Sequence, residues 1–212
     1  MARSNASLRC SDGVRRCWWA TADPLYVAYH DDEWGRPVGE DARLFEKLVL
    51  EGFQSGLSWL TILRKRDNFR RAFRDFDPER VGRFGAADMR RLLGDAGIVR
   101  HRGKIEAAIQ NAIAVRVVQR EVGSLAAYVW RFAPSPRAHR APRSRTTVPA
   151  VTAVSTALAR DLRQRGFRFV GPTTVYAFMQ AMGLVNDHLV GCVSRVACAR
   201  ARLDFRLPEA PH

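Results

Sequence analysis

Lysine is scarce in this chain. Of 35 Lys plus Arg residues only Lys47, Lys65 and Lys104 are lysines, so the net charge of +14 rests almost wholly on arginine. No apolar run approaches the roughly 18 residues that a membrane span needs. Met1 to Ser11 also lacks the apolar core of a secretory signal. The expectation is a cytoplasmic protein with no membrane partner. Cysteine is sparse too, at positions 10, 17, 192 and 198. In a cytosolic chain of this size so few point to metal binding or packing before a disulfide framework. Alternating patterns are almost missing, Phe167 to Val170 being the one strand candidate, and there is no internal repeat.

What is present describes a folded, helical protein. The chain has 212 residues, 47% hydrophobic and 26% charged, which suits one or two domains with a real core. The arginine excess favours a polyanionic partner, nucleic acid before membrane, because no basic amphipathic helix stands out. An arginine-rich solvated surface explains the same charge.

Residues 1–16 are polar and basic and read as a mobile extension, and the stretch from 199 to 212 as a flexible tail around a domain at 17–198. The block CWWATADPLYVAYHDDEWG carries Trp18, Trp19, Tyr26, Tyr29 and Trp34. Its periodicity is too poor for one amphipathic helix, so its aromatics either line a pocket or form a satellite core. Asp23-Pro24 marks a turn or helix start. From Asp41 onward the pattern is helical almost throughout. One or two helices span Leu44 to Arg74 with a break at Gly52 to Gly56. Helices follow from Pro78, over Ala86–Leu93, Gly103–Val122, Ser124–Phe132, Thr152–Arg165 and Thr173–Met182. The Pro- and Arg-rich stretch 133–147 is a loop. The fold class is all-α.

Three constellations carry chemistry. In EGFQSGLSWLTIL, Glu51 falls on the wheel beside Leu44 and Ile62, where a charge is costly unless it is paired or binds something. It is either a snorkelling carboxylate beside a helix break or an acceptor facing a ligand, with Trp59, Tyr29 and the neighbouring aromatics as a stacking surface. An alkylated purine is cationic, so aromatic faces and a carboxylate attract it above its neutral parent. In LLGDAGIVRHRGK a turn with Gly94 and Gly97 opens a helix, and Arg100, His101, Arg102 and Lys104 follow. Such a turn resembles a helix-hairpin-helix element that holds DNA phosphates without reading sequence, though any α-hairpin can use glycine turns. His188 and Cys192 stand one helical turn apart, and Cys17 and His30 could complete a tetrahedral Cys₂His₂ site. That set would hold a structural zinc with no open position, and a buried cysteine beside a hydrogen-bonded histidine is the plainer alternative.

These blocks, with RGFRFVGPTTVYAFMQAMGLVNDHLVGC, occur in an order similar to that of the bacterial 3-methyladenine DNA glycosylase I family. The resemblance covers roughly Cys17 to Cys192, and VNDH-x₃-C with EG-x-Q-x-GLSW carries it. It implies a helix-hairpin-helix glycosylase fold whose terminal segments are tied by a structural Zn²⁺ on Cys17, His30, His188 and Cys192. The implied activity is hydrolytic excision of 3-methyladenine from alkylated double-stranded DNA. It leaves an abasic site and free 3-methyladenine; a monomer is the default expectation for an enzyme that scans DNA. Glu51 would hydrogen-bond the Hoogsteen side of the flipped base and take the catalytic position. Tyr29 and Trp59 would contact the base, with Trp19, Tyr26 and Trp34 nearby, and Gly56-Leu57 would fill the gap it leaves. Phe53 departs from the more polar residue of relatives at what is expected to be the pocket rim. Cys10 and Cys198 lie outside the zinc pattern.

Two rivals remain at this point. A bifunctional glycosylase/lyase would use Lys104 as an amine nucleophile, but no Asp follows it before Asp161 and no neighbour is visible that would lower its pKa. A non-catalytic, zinc-stapled DNA-binding module explains the charge, the hairpin and the Cys/His set. It leaves a carboxylate among aromatics unexplained.

Overall fold

Asp23 opens the first helix by accepting from the backbone N–H groups of Leu25 (3.0 Å) and Tyr26 (3.3 Å), with Pro24 at the position where a missing N–H costs nothing. The computed structural model describes residues 8–20, 22–135 and 138–207. Helix α1 (Pro24–Ala28) runs directly into a π-helical turn over Tyr29–Glu33. That wider turn brings both Tyr29 and His30 inward, on consecutive residues.

Helix α2 (Asp41–Gln54) is the centre of the molecule. All ten residues from Leu44 to Phe53 are buried, so the helix is covered on every side, by α3 (Trp59–Ala72), α6 (Arg102–Val122), α7 (Leu125–Trp130) and α9 (Pro172–Ala181). Its first residue joins two elements: the Asp41 carboxylate accepts from the N–H groups of Leu125 and Ala126, both at 2.9 Å, at the start of α7. Helices α4 (Pro78–Gly82) and α5 (Ala86–Gly94) pack on α6, α8 (Ala153–Gln164) packs on α9, and α10 (Arg195–Asp204) closes the chain. The expected break after α2 is a short loop, with Gly56 at φ 84° and Ser58 capping α3 through the N–H of Thr61 at 3.2 Å. No helix among the described residues is long and apolar enough to cross a membrane.

The structure corrects four expectations. The N-terminal stretch is not featureless: β1 (Leu8–Ser11) and β2 (Val14–Cys17) pair antiparallel about Asp12 and Gly13, both at positive φ (63° and 76°). Asp-Gly is a strong hairpin signal, and it was legible in the sequence. Residues 1–7 lie outside the described residues. The tail is ordered further than expected, since α10 runs to Asp204 and Phe205 packs on Trp130 with ring centroids 4.4 Å apart. Phe167 to Val170 is not a strand; the Asn111 side chain accepts from the Arg168 N–H (2.7 Å) and donates to its carbonyl (3.0 Å), holding an irregular loop. Phe53 is not at a rim: it is 1% exposed and packs on Phe69, centroids 4.8 Å apart.

The segment after the π turn meets the end of α9 through backbone bonds. Gly35 N–H donates to the Ala181 carbonyl (3.2 Å) and Val38 N–H to that of Met182 (3.3 Å). This approach depends on Gly183, at φ 75°, where a Cβ would lie 2.5 Å from the backbone nitrogen of Pro37. Gly183→Ala is therefore expected to cost on the order of 3 kcal/mol, combining left-handed strain with a backbone clash. Urea denaturation checks this, and a midpoint within error of the parent would remove the close approach as a constraint.

Candidate functional site

The π turn places two sites back to back. His30 faces the C-terminal segment, where the metal-binding atoms of Cys17, His30, His188 and Cys192 all lie within 4.8 Å of one another and all four residues are buried. The Cys192 Sγ is 3.4 Å from His30 Nε2 and 3.4 Å from His188 Nδ1, and Cys17 Sγ is 3.8 Å from His188 Nδ1. Around one tetrahedral ion with S and N ligands these separations would be about 3.5 Å. The outer nitrogens of both rings are already committed. His30 Nδ1 is 2.7 Å from Asp31 Oδ1, and His188 Nε2 is 2.9 Å from the Trp34 carbonyl. Those acceptors hold the outer nitrogens protonated and aim the inner lone pairs at the centre. Arg16 in turn fixes Asp31 through a 2.8 Å ion pair. This buried Cys₂His₂ group can bind a metal.

The sequence expectation needs one amendment here. His188 and Cys192 do not sit on a helix; they converge from a turn in which Gly191 has φ 88°. Cys198 is buried at 0% exposure with its Sγ 3.7 Å from the Trp34 carbonyl, and burial pushes its thiol up to about 11. It packs beside the cluster. The Cys10 side chain falls outside what the structure describes.

On the other side of the turn, Tyr29 faces Trp59 at the start of α3, ring centroids 5.4 Å apart. Trp19 packs on Tyr26 (5.2 Å), Tyr29 (6.3 Å) and Trp34 (4.9 Å), so the five expected aromatics form one continuous cluster. Trp34 also stands edge-on to His188 at 4.7 Å, which makes it a wall shared by both sites. The π turn is locked to α3 by the Glu33–Arg66 pair, with bonds of 2.5 and 2.9 Å. Trp59 Nε1–H is buried and has no acceptor among the described residues. A buried donor left unmade costs about 1–3 kcal/mol, so it marks a place where a ligand acceptor would be favoured.

Glu51 is 6% exposed, and its partner is Lys47, one turn earlier on α2. The Lys47 Nζ is 2.7 Å from Glu51 Oε1, donates to the Tyr29 hydroxyl at 2.9 Å and lies 3.2 Å from the centroid of the Trp59 ring. Lysine at i and glutamate at i+4 is a readable helical pair, but Lys47 was not singled out from the sequence. Burial holds the Lys47 ammonium below the usual lysine range, against the opposing pull of Glu51. Burial first, and then Glu51, raises the Tyr29 phenol well above its ordinary value. Tyr26 moves in the same direction for the same two reasons.

Two recesses open beside this pair. One is lined by Tyr29, Lys47, Leu50 and Trp59 with the Glu33–Arg66 pair. The other is a more open groove in which Glu51 lies beside Ser55, Gly56, Leu57 and the first turn of α9. Leu57 is 41% exposed at its edge. Glu51 therefore stands between the aromatic cluster and an exposed loop.

Between α5 and α6 the hairpin turn closes as a compact unit: Gly97 N–H donates to Asp95 Oδ1 at 2.7 Å, and Ile98 is buried beneath it. Lys65 from α3 braces it through the Ala96 carbonyl (2.9 Å). Gly94, Arg100, His101 and Arg102 are exposed. Lys104 is not. It is 8% exposed, and its ammonium donates to the Phe53 (2.9 Å) and Ser55 (2.6 Å) carbonyls at the end of α2. A lysine so committed is a helix C-cap, which corrects its placement at a phosphate-binding surface. The same two bonds remove it from the role of free nucleophile.

A solved structure of 3-methyladenine DNA glycosylase I shares the fold with a TM-score of 0.80 at 49% identity, covering 84% of this chain and 98% of that one. The 3-methyladenine DNA glycosylase I of Staphylococcus aureus, solved to show how it recognises 3-methyladenine, reaches 0.80 at 37% identity over 88% of this chain and 95% of its own. The family model for methyladenine glycosylase matches residues 19–195, and the chain belongs to that family. DNA-3-methyladenine glycosylase 1 of Escherichia coli (strain K12) is 48% identical over 179 residues, 84% of this chain and 96% of that protein.

Lys104→Met is expected to lower stability by about 1–3 kcal/mol, because two carbonyls at the end of α2 lose their donor. A thermal melt measures it. An unchanged midpoint would mean that water replaces the ammonium and that the cap is dispensable.

Proposed function

We propose that this protein is a monofunctional DNA glycosylase that flips 3-methyladenine out of alkylated double-stranded DNA and hydrolyses its N-glycosidic bond, leaving an abasic site. The observation that carries this reading is the buried Glu51 set beside Tyr29 and Trp59 in a chain of the methyladenine glycosylase family. The relatives that share the fold are named for this activity.

The alkylated nucleotide carries positive charge on its base. When the C1′–N9 bond breaks, its electron pair stays with the base, which leaves neutral, and the sugar takes the charge until water adds and loses a proton. Little acid catalysis is then needed. Stacking on Trp59 and acceptance by Glu51 position the base and exclude water. Tyr29 closes the pocket, and Trp19, Tyr26 and Trp34 hold it in place. Gly56 and Leu57, exposed at the edge of the Glu51 groove, would occupy the gap in the duplex. The hairpin turn at Gly94 and Gly97, with Arg100 and Arg102, would hold the phosphate backbone.

The metal we assign to Cys17, His30, His188 and Cys192 is zinc. All four corners come from protein, so it would be structural, joining the N-terminal hairpin and π turn to the C-terminal segment. The metal-binding expectation is one equivalent of zinc per purified chain. Cys192→Ala should lose it together with a lower melting temperature; full zinc content in that variant would remove the assignment.

The direct test is release of free base from methylated duplex DNA, resolved by chromatography. The expected result is release of 3-methyladenine, a reduction of at least tenfold in Glu51→Gln, and duplex affinity near that of the parent. No release by folded, metal-loaded protein would leave a non-catalytic DNA-binding module in its place.

A further inference from the structure

Lys47 engages Glu51, Tyr29 and Trp59, the three groups nearest the bound base in the proposed site. Its ammonium is 2.7 Å from Glu51 Oε1, 2.9 Å from the Tyr29 hydroxyl and 3.2 Å from the Trp59 ring centroid. It is 5% exposed, and it lines a recess together with Tyr29 and Trp59. A cation over an indole face and against a carboxylate is the chemistry by which the site would attract an alkylated base. The protein has placed a tethered cation there already.

Resting on the glycosylase reading above, we propose that Lys47 is a positioning residue that opposes positive charge on the bound base. Held beside Glu51 and Trp59, its ammonium offsets the attraction these groups offer to a cation. The base is cationic while bonded to the sugar and neutral once the C1′–N9 electron pair has moved onto it. Lys47 therefore repels the bound substrate more than the departing base, and the repulsion falls as charge moves to the sugar. Glu51 and Trp59 hold the base in place, while Lys47 makes it harder for the base to keep its charge.

The groups facing Lys47 limit the alternatives. Among the described residues Glu51 is its one direct ion pair, and two further charges that act on it, Glu33 and Arg66, are paired with each other. Removing Lys47 thus leaves one carboxylate without its counter-charge, at a place where a cationic ligand can supply it.

The experiment is a tryptophan-fluorescence titration with two probes at pH 8. Free 3-methyladenine is the neutral leaving base, and 3,9-dimethyladeninium carries the fixed charge of the bonded base without a sugar. For Lys47→Met and Lys47→Gln, affinity for the fixed-charge probe should rise roughly tenfold or more, since unit charges a few ångströms apart in a buried site interact strongly. Affinity for 3-methyladenine should change less than about threefold. Lys47→Arg should keep the parent ratio. Met would remove both the charge and the bond to Tyr29, whereas Gln keeps a donor, so one variant covers a folding failure of the other. Equal gains for both probes, no gain, or a loss for both would overturn the proposal, because each follows from bulk or stability without charge discrimination. If the parent protein binds neither probe, the base-site reading itself fails, whatever Lys47 does.

Discussion

A carboxylate on a helix that is covered on all sides has to find a counter-charge, and much of this structure follows from that constraint. Glu51 lies on α2 in a run of ten buried residues, where an unpaired charge would cost several kcal/mol. Lys47 meets it from the preceding turn. The ammonium then needs acceptors of its own, which Tyr29 and the face of Trp59 supply. Tyr29 can reach that place because the π turn holds it there and the Glu33–Arg66 pair ties the turn to α3. Removing any one of these partners leaves a buried charge or hydroxyl short of what it replaces in water.

The Cys₂His₂ cluster solves a different problem. A short N-terminal hairpin and a turn near the C-terminus have little apolar surface with which to hold one another. Cys17, His30, His188 and Cys192 converge from these segments on one point, and the aligned outer hydrogen bonds of both histidines prearrange a group that could bind a metal there. Because His30 follows Tyr29 directly, the same π turn serves the cluster and the aromatic recess. Trp34, between His188 and Trp19, carries that coupling in packed rings.

Two lysines illustrate how charge on a sequence differs from charge in a fold. Lys104 stands in a basic run and reads as a phosphate ligand, yet it caps α2 from inside. Lys47 stands in an apolar helical run, yet it is the ion-pair partner of Glu51. The exposed Arg100 and Arg102 are what remain of the basic run at the surface. Spacing places a residue on a helix face, but only neighbouring helices decide whether that face is covered.

The amino-acid sequence by itself determined the helical class, most helix limits, the loop after α2, and the residue types of both sites, because these depend on local periodicity, capping and glycine placement. The helix starts expected at Asp23-Pro24 and from Pro78 appear, with Asp23 and Asp77 as their caps. The Asp12-Gly13 hairpin is equally local. Only the tertiary structure decided that Lys47 rather than water answers Glu51, that Lys104 turns inward, and that His188 and Cys192 converge from a turn instead of a helix. Those outcomes depend on contacts between segments far apart in the chain. Burial and partner choice are properties of the assembled packing, and no local pattern encodes them.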